Sequence, residues 1–189
     1  VMGESGRTVR VSSTLERVVN TAGYISADFH LHARPSLDSS LSLDERVASL
    51  TGEGVEVLVA TDHNFITDYA PTIEQMGLQE WATSMVGLEL TTLESGHFNA
   101  YPLRREVGAM TKGAFEWSLK SPDILFDTVR KLGSLGEKQT VIQVNHPRDQ
   151  ILGYFDQYSV SPITGEVPEK LNCGLSGILD NATDCLIAV

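Results

Sequence analysis

With 189 residues, 41% of them hydrophobic and 21% charged, the chain has the length and composition of one globular domain with a sizeable core, which argues against disorder. A formal net charge of −11 argues against a nucleic-acid surface, because no basic stripe is present to replace phosphate counterions. No apolar run is long enough to span a bilayer and no signal-peptide pattern opens the chain; the two cysteines, Cys173 and Cys185, lie outside any CxxC spacing and indicate neither a zinc finger nor a disulfide framework.

Residues 1–22 read as an N-terminal extension or the remnant of a preceding module, with a strand-like stretch at 8–11 and a short amphipathic piece at 14–20. Residues 24–31 alternate as a strand does. Ser42-Leu43-Asp44-Glu45 then forms a capping box, and Leu43, Val47 and Leu50 fall on one face of a helix that ends at Gly52 or Gly54. The run 55–61 has the pattern of a buried strand, 69–81 a helix or irregular stretch, and 85–90 and 98–103 two further strands. A second helix starts from Ser121 as N-cap and Pro122 as first residue, carries Ile124, Leu125, Val129 and Leu132, and stops at Gly133. A strand at 141–145, a Gly-, Pro- and Ser-rich loop at 152–174 and a last strand at 184–189 complete the reading. This alternation predicts an α/β fold on a parallel sheet, with ligands at the strand C-termini. The apolar end at Val189 reads as a cut, so that residues 23–189 form an incomplete domain of a longer protein.

The chemistry concentrates at the predicted strand ends. In Asp28-Phe29-His30-Leu31-His32, two histidines are two residues apart on a strand and point the same way, so they can bind one ion. Thr61-Asp62-His63 closes the second strand. All five histidines of the chain, His30, His32, His63, His97 and His146, sit at or beside strand ends, and this ensemble reads as a polynuclear metal site. Glu89 emerges from an apolar run, where a carboxylate must be paired or bound to cations. Asp38, in a turn-like Ser36-Leu37-Asp38-Ser39-Ser40, is either a ligand or a turn former. Mixed imidazole and carboxylate ligands suit Zn, Mn or Fe better than Ca or Mg. Arg34 and Arg148, each two residues after a ligand histidine, are candidates for binding an anionic substrate. Asp62 fits a role in orienting His63, with Asn64 and Asn99 as weaker candidates of that kind.

Taken in order, Asp28 to His32, Asp38, Thr61-Asp62-His63, Gly87-Leu88-Glu89, His97 and Asn145-His146-Pro147 resemble the successive motifs of the PHP (polymerase and histidinol phosphatase) superfamily. The tract Gly96-His97-Phe98-Asn99-Ala100-Tyr101-Pro102 is most similar to its CehA/McbA-type metallohydrolases. The resemblance covers residues 23–149. It implies a distorted (β/α)7 barrel, here truncated at the C-terminus, with two or three divalent metal ions. It also implies that His30, His32 and Glu89 hold one metal, that Asp38, His63 and His146 hold a second, and that Glu89 with His97 holds a third. The family's closing Asp-x-His pair has no counterpart, since no histidine follows His146.

Such a site is expected to hydrolyse its substrate. Divalent ions about 3.5–4 Å apart lower the pKa of a bridging water and clamp phosphoryl or carbonyl oxygens, so hydroxide attack is the implied chemistry. Glu89, Arg148 and Arg34 are the residues expected to serve it. The leading reading is a phosphoesterase acting on a small anionic ester. The alternatives are an amide or carbamate hydrolase on the same site, and a metal-stabilised, catalytically silent module of a larger protein.

Overall fold

A computed structural model describes residues 8–167, apart from 9, 15, 17, 134 and 136–138. The predicted strand at 184–189, both cysteines, the end of the predicted 152–174 loop and part of the 1–22 extension lie outside the described residues.

Strands β1 (Ala27–Leu31), β2 (Val57–Ala60) and β3 (Thr83–Met85) form a parallel sheet in the order β1-β2-β3. Helix α1 (Leu43–Gly52) connects the first two and α2 (Ala70–Gln75) the next two. The α1 capping box is present: the Ser42 hydroxyl accepts from the Glu45 amide at 3.2 Å, and the Glu45 carboxylate accepts from the Ser42 amide at 2.9 Å. Asp44 and Glu45 in the first turn also favour the positive end of the helix dipole. The helix buries Val47 against Leu31, Leu58, Ala60, Tyr69 and Ile73, with Leu43 and Leu50 at the edge of this first core.

Strands β4 (Leu88–Thr91), β5 (His97–Tyr101) and β6 (Val141–Val144) form a second sheet in which both pairings are antiparallel. Helix α3 (Pro122–Gly133) packs Leu125 and Val129 into the second core beside Leu88, Leu90, Phe98 and Leu103, while Ile124 faces solvent. A short α4 (Tyr154–Gln157) follows β6.

This architecture corrects the expected barrel. Among the described residues there are two three-stranded sheets and four helices, and no closed (β/α)7 barrel. The reason lies in a connection length. Parallel neighbours need a crossover of a dozen or more residues, whereas only residues 92–96 separate β4 from β5, enough for an antiparallel return and nothing else. The single strand predicted at 85–90 is likewise two strands. Met85 pairs with Val59 in the parallel sheet, and Leu88 pairs with Ala100 in the antiparallel one. The change of sheet occurs at Gly87, where a Cβ would stand 2.7 Å from both the Ala60 and the Ala100 carbonyl oxygens. Only glycine lets the two sheets close this tightly.

The sheets meet again one step further on. The Glu89 amide donates to the Asp62 carbonyl at 3.1 Å and the Asn64 amide to the Glu89 carbonyl at 2.9 Å, so the extension of β2 runs alongside β4. Because β5 is antiparallel, its first residue lies at the same end as the last residues of β4. That is how His97, which opens a strand, joins groups that close theirs.

Candidate metal centre

Glu89 is fully buried at this junction and all five histidines surround its carboxylate. On Oε2 stand His30 Nε2 at 3.2 Å, His32 Nε2 at 3.2 Å and His63 Nδ1 at 3.1 Å. Facing Oε1 are His97 Nδ1 at 3.2 Å and His146 Nε2 at 3.4 Å, together with the Asn145 amide, which donates at 2.9 Å. Asp38, half exposed in the loop after β1, adds its carboxylate at 3.4 Å from His63 Nε2 and 4.0 Å from His32 Nδ1.

The rings are held from behind. The Ser36 hydroxyl is 3.0 Å from His32 Nδ1 and accepts from the His63 amide at 2.8 Å. His63 Nδ1 also meets the Thr91 hydroxyl. Asn64 donates to the Thr91 carbonyl at 2.9 Å and accepts from the Thr91 amide at 3.0 Å, fastening the His63 loop to β4. The His30 amide donates to Asp28 at 3.0 Å. Asp62 does not touch the His63 ring in any described hydrogen bond. Its carboxylate instead accepts from the Ala33 amide at 2.7 Å and from the Thr67 hydroxyl, bracing the turn after β1 from beneath.

Electrostatics separate these groups. Burial alone would raise the Glu89 carboxyl, but hydrogen bonds from His30, His97 and Asn145 and the charge of His63 outweigh it and hold the group far below the usual carboxylate range. His30 is raised, first by its bond to Glu89, whereas His32 is lowered, first by burial.

The donor set fits metal. Two ligand atoms at metal–ligand distances of 2.0–2.2 Å and a tetrahedral angle stand about 3.3–3.6 Å apart, close to the imidazole–carboxylate separations seen here. Three imidazole nitrogens crowd Oε2, more than its two lone pairs can accept as hydrogen bonds, and a cation between them resolves that crowding. His97 Nε2 is buried without a hydrogen-bond partner. In three groups each residue offers one ligand atom within 4.8 Å of the others: His30, His32 and Glu89; His32, Asp38 and His63; and His63, Glu89 and His97. A buried Glu89 with several histidines can therefore hold a metal ion.

Two placements differ from those expected, one from the resemblance and one from residue spacing. His146 does not join Asp38 and His63; it lies beside Glu89 Oε1, with its ring 4.9 Å from that of His97 and its Nδ1 3.9 Å from Asp149. It follows β6, on the other side of the carboxylate from the loop that carries Asp38. Arg148, expected from its spacing to bind an anionic substrate, is engaged within the chain, with its guanidinium 3.2 Å from Asp156 and 5.3 Å from the centre of the Phe155 ring. Arg34 is exposed, and its charge acts on Glu45 at the start of α1.

The sequence alone assigns no role to Ser36, Thr91 or Asn145. Asn145 carries a signal, as a polar residue ending an apolar strand immediately before a histidine; Ser36 and Thr91 carry none. Comparison of the chain with protein-family models, curated proteins and solved structures finds no match. Among the described residues no helix is long and apolar enough to cross a membrane.

Proposed function

We propose that the chain is a metal-dependent hydrolase using two or three divalent ions, Zn, Mn or Fe, and that its substrate is a small phosphate ester. The observation that carries the reading is the convergence of five histidines and Asp38 on and around the buried carboxylate of Glu89. The order of the sequence motifs, which resembles the PHP superfamily, supports it independently of the barrel that the fold lacks. Glu89 would be the residue shared between ions, grouped once with His30 and His32 and again with His63 and His97, while Asp38 would complete the His32–His63 group. Bound divalent ions would supply Lewis-acid activation of water and neutralise charge on the ester oxygens.

The chain's own residues do the rest. Glu89, 0% exposed, draws imidazoles from both sheets to one point. Ser36, Thr91 and Asn64 fix the His63 ring at the seam, and the partly exposed His30 and His146 mark the side from which substrate approaches. The engagement of Arg148 with Asp156 and Phe155 favours a second reading, an amide or carbamate hydrolase, whose substrate needs no arginine contact.

The test is hydrolysis of a phosphomonoester, a phosphodiester, a carboxylic ester and a carbamate by protein reconstituted with Zn, Mn or Fe. Metal-dependent turnover of a phosphate ester, abolished by Glu89→Gln, is the expected result. Turnover of the carbamate alone selects the second reading, and failure to hydrolyse any of the four with any metal contradicts both.

A further inference from the structure

Behind the ligands runs a chain of buried amides that the hydrolytic reading leaves unused. Glu89 on β4, Asn99 on β5 and Gln143 on β6 are paired in register, Glu89 with Asn99 and Asn99 with Gln143, so the three side chains form one row across the sheet and share a face. Asn145, two residues beyond Gln143, reaches back over this row. Its amide nitrogen donates to Glu89 Oε1 at 2.9 Å and to Asn99 Oδ1 at 2.6 Å. The Asn99 amide donates in turn to the Phe29 carbonyl at 2.7 Å, across to the parallel sheet and immediately before His30. At the outer end Gln143 donates to Asn145 Oδ1 at 3.3 Å and accepts from the Tyr101 hydroxyl at 2.8 Å. Glu89, Asn99 and Asn145 are all at most 2% exposed, so the bonds among these three are made where an unsatisfied amide is costly.

We infer that Asn145 is a positioning residue for the metal centre, fixing the Glu89 carboxylate and, through Asn99 and the Phe29 carbonyl, the His30 end of β1 in one geometry. The inference rests on the reading of Glu89 as a metal ligand. A neutral amide suits the task. It occupies a lone pair of Oε1 without adding positive charge, which leaves the carboxylate's full negative charge for cations, and its two N–H groups serve Glu89 and Asn99 at once. A protonated imidazole or an ammonium in its place would neutralise that charge.

The test is zinc binding measured by competition with a chelator, alongside the melting temperature of the metal-free protein. Wild type, Asn145→Leu and Gln143→Met are compared; the last removes only the outer, half-buried link, the bonds of Gln143 to Asn145 and Tyr101. Zinc affinity about ten- to a hundredfold weaker in folded Asn145→Leu, with a smaller loss in Gln143→Met, is the expected result. A role confined to the fold would lower the melting temperature of metal-free Asn145→Leu and leave its zinc affinity at the wild-type value, and that outcome overturns the proposal while leaving the metal centre standing. Should Asn145→Leu fail to fold, unchanged zinc affinity in Gln143→Met overturns it equally. If wild type itself takes up no zinc, the metal reading falls and the positioning role falls with it.

Discussion

Asp62 and Glu89 are both carboxylates with no exposed surface, and their backbones are hydrogen-bonded to each other across the seam between the sheets, yet they are pushed in opposite directions. Burial raises the Asp62 carboxyl, and its bonds from Ala33, Thr67 and Ser36 only partly oppose that; Glu89 meets the same burial penalty and ends far below its ordinary value. The difference is the company. Asp62 is surrounded by backbone and hydroxyl donors, which suit a structural brace. Glu89 is surrounded by imidazoles that can carry or accept positive charge, which suits a group awaiting cations. Buried carboxylates are thus told apart by their neighbours, and depth alone says nothing about role.

The largest expected effect tests that contrast directly. Zinc at a hundredfold excess over its dissociation constant stabilises a protein by about 2.7 kcal/mol. For a chain of this size that is a rise of roughly 5–10 °C in melting temperature. Asp62→Asn should keep the rise, although its starting stability is lower, and Glu89→Gln should lose it together with bound metal and turnover. Calorimetry of the three proteins with and without zinc checks this. Equal shifts in all three would dissolve the distinction between the two carboxylates.

Gly87→Ala comes next, because it forces the seam itself. A Cβ there meets two backbone oxygens at 2.7 Å, and backbone cannot step aside as a side chain can. A loss of about 1–3 kcal/mol is expected from urea denaturation. Stability unchanged within error would mean that the sheets are not closed on this glycine.

Arg148→Ala should have a smaller effect, at most about 1 kcal/mol, since its ion pair with Asp156 is partly exposed. Steady-state kinetics should show KM for a phosphate ester changed by less than about twofold. A tenfold rise would return Arg148 to the anion-binding role that its spacing after His146 predicts.

A third carboxylate extends the comparison at the low end. Glu45 is exposed and lowered chiefly by its bonds from Ser42, so its contribution is present above its unfolded pKa of about 4.3 and disappears as pH falls through the lower folded value. Ser42→Ala should cost about 1 kcal/mol near pH 7 and less in acid below about pH 4, measured by denaturation across that range. A cost independent of pH would remove the contribution of the Glu45 charge to the cap.

The sequence makes much of this site legible because ligand spacing follows strand geometry. His30 and His32 reach the same oxygen of Glu89 as residues two apart on a strand should, and the Ser42–Glu45 capping box lies where its four residues place it. Sheet topology is harder to read. The apolar run at 85–90 has no punctuation except Gly87, and a buried strand looks the same whether its neighbours are parallel or antiparallel. The five residues between β4 and β5 are the clue that excludes a crossover. The amide chain through Asn145 and Asn99 depends on register across three strands, which no local pattern encodes, and the pairing of Arg148 with Asp156 depends on the turn into α4.

The central claim is that Glu89 is shared by metal ions held among the five histidines and Asp38. Anomalous diffraction at the zinc edge from crystals of the zinc-loaded protein tests it most directly. At least two peaks should flank the Glu89 carboxylate, one bounded by His30 and His32 and another by His63, each roughly 2.0–2.2 Å from its ligand atoms. Zinc-saturated crystals with no anomalous peak within reach of Glu89, and its carboxylate bound only by hydrogen bonds, would contradict it.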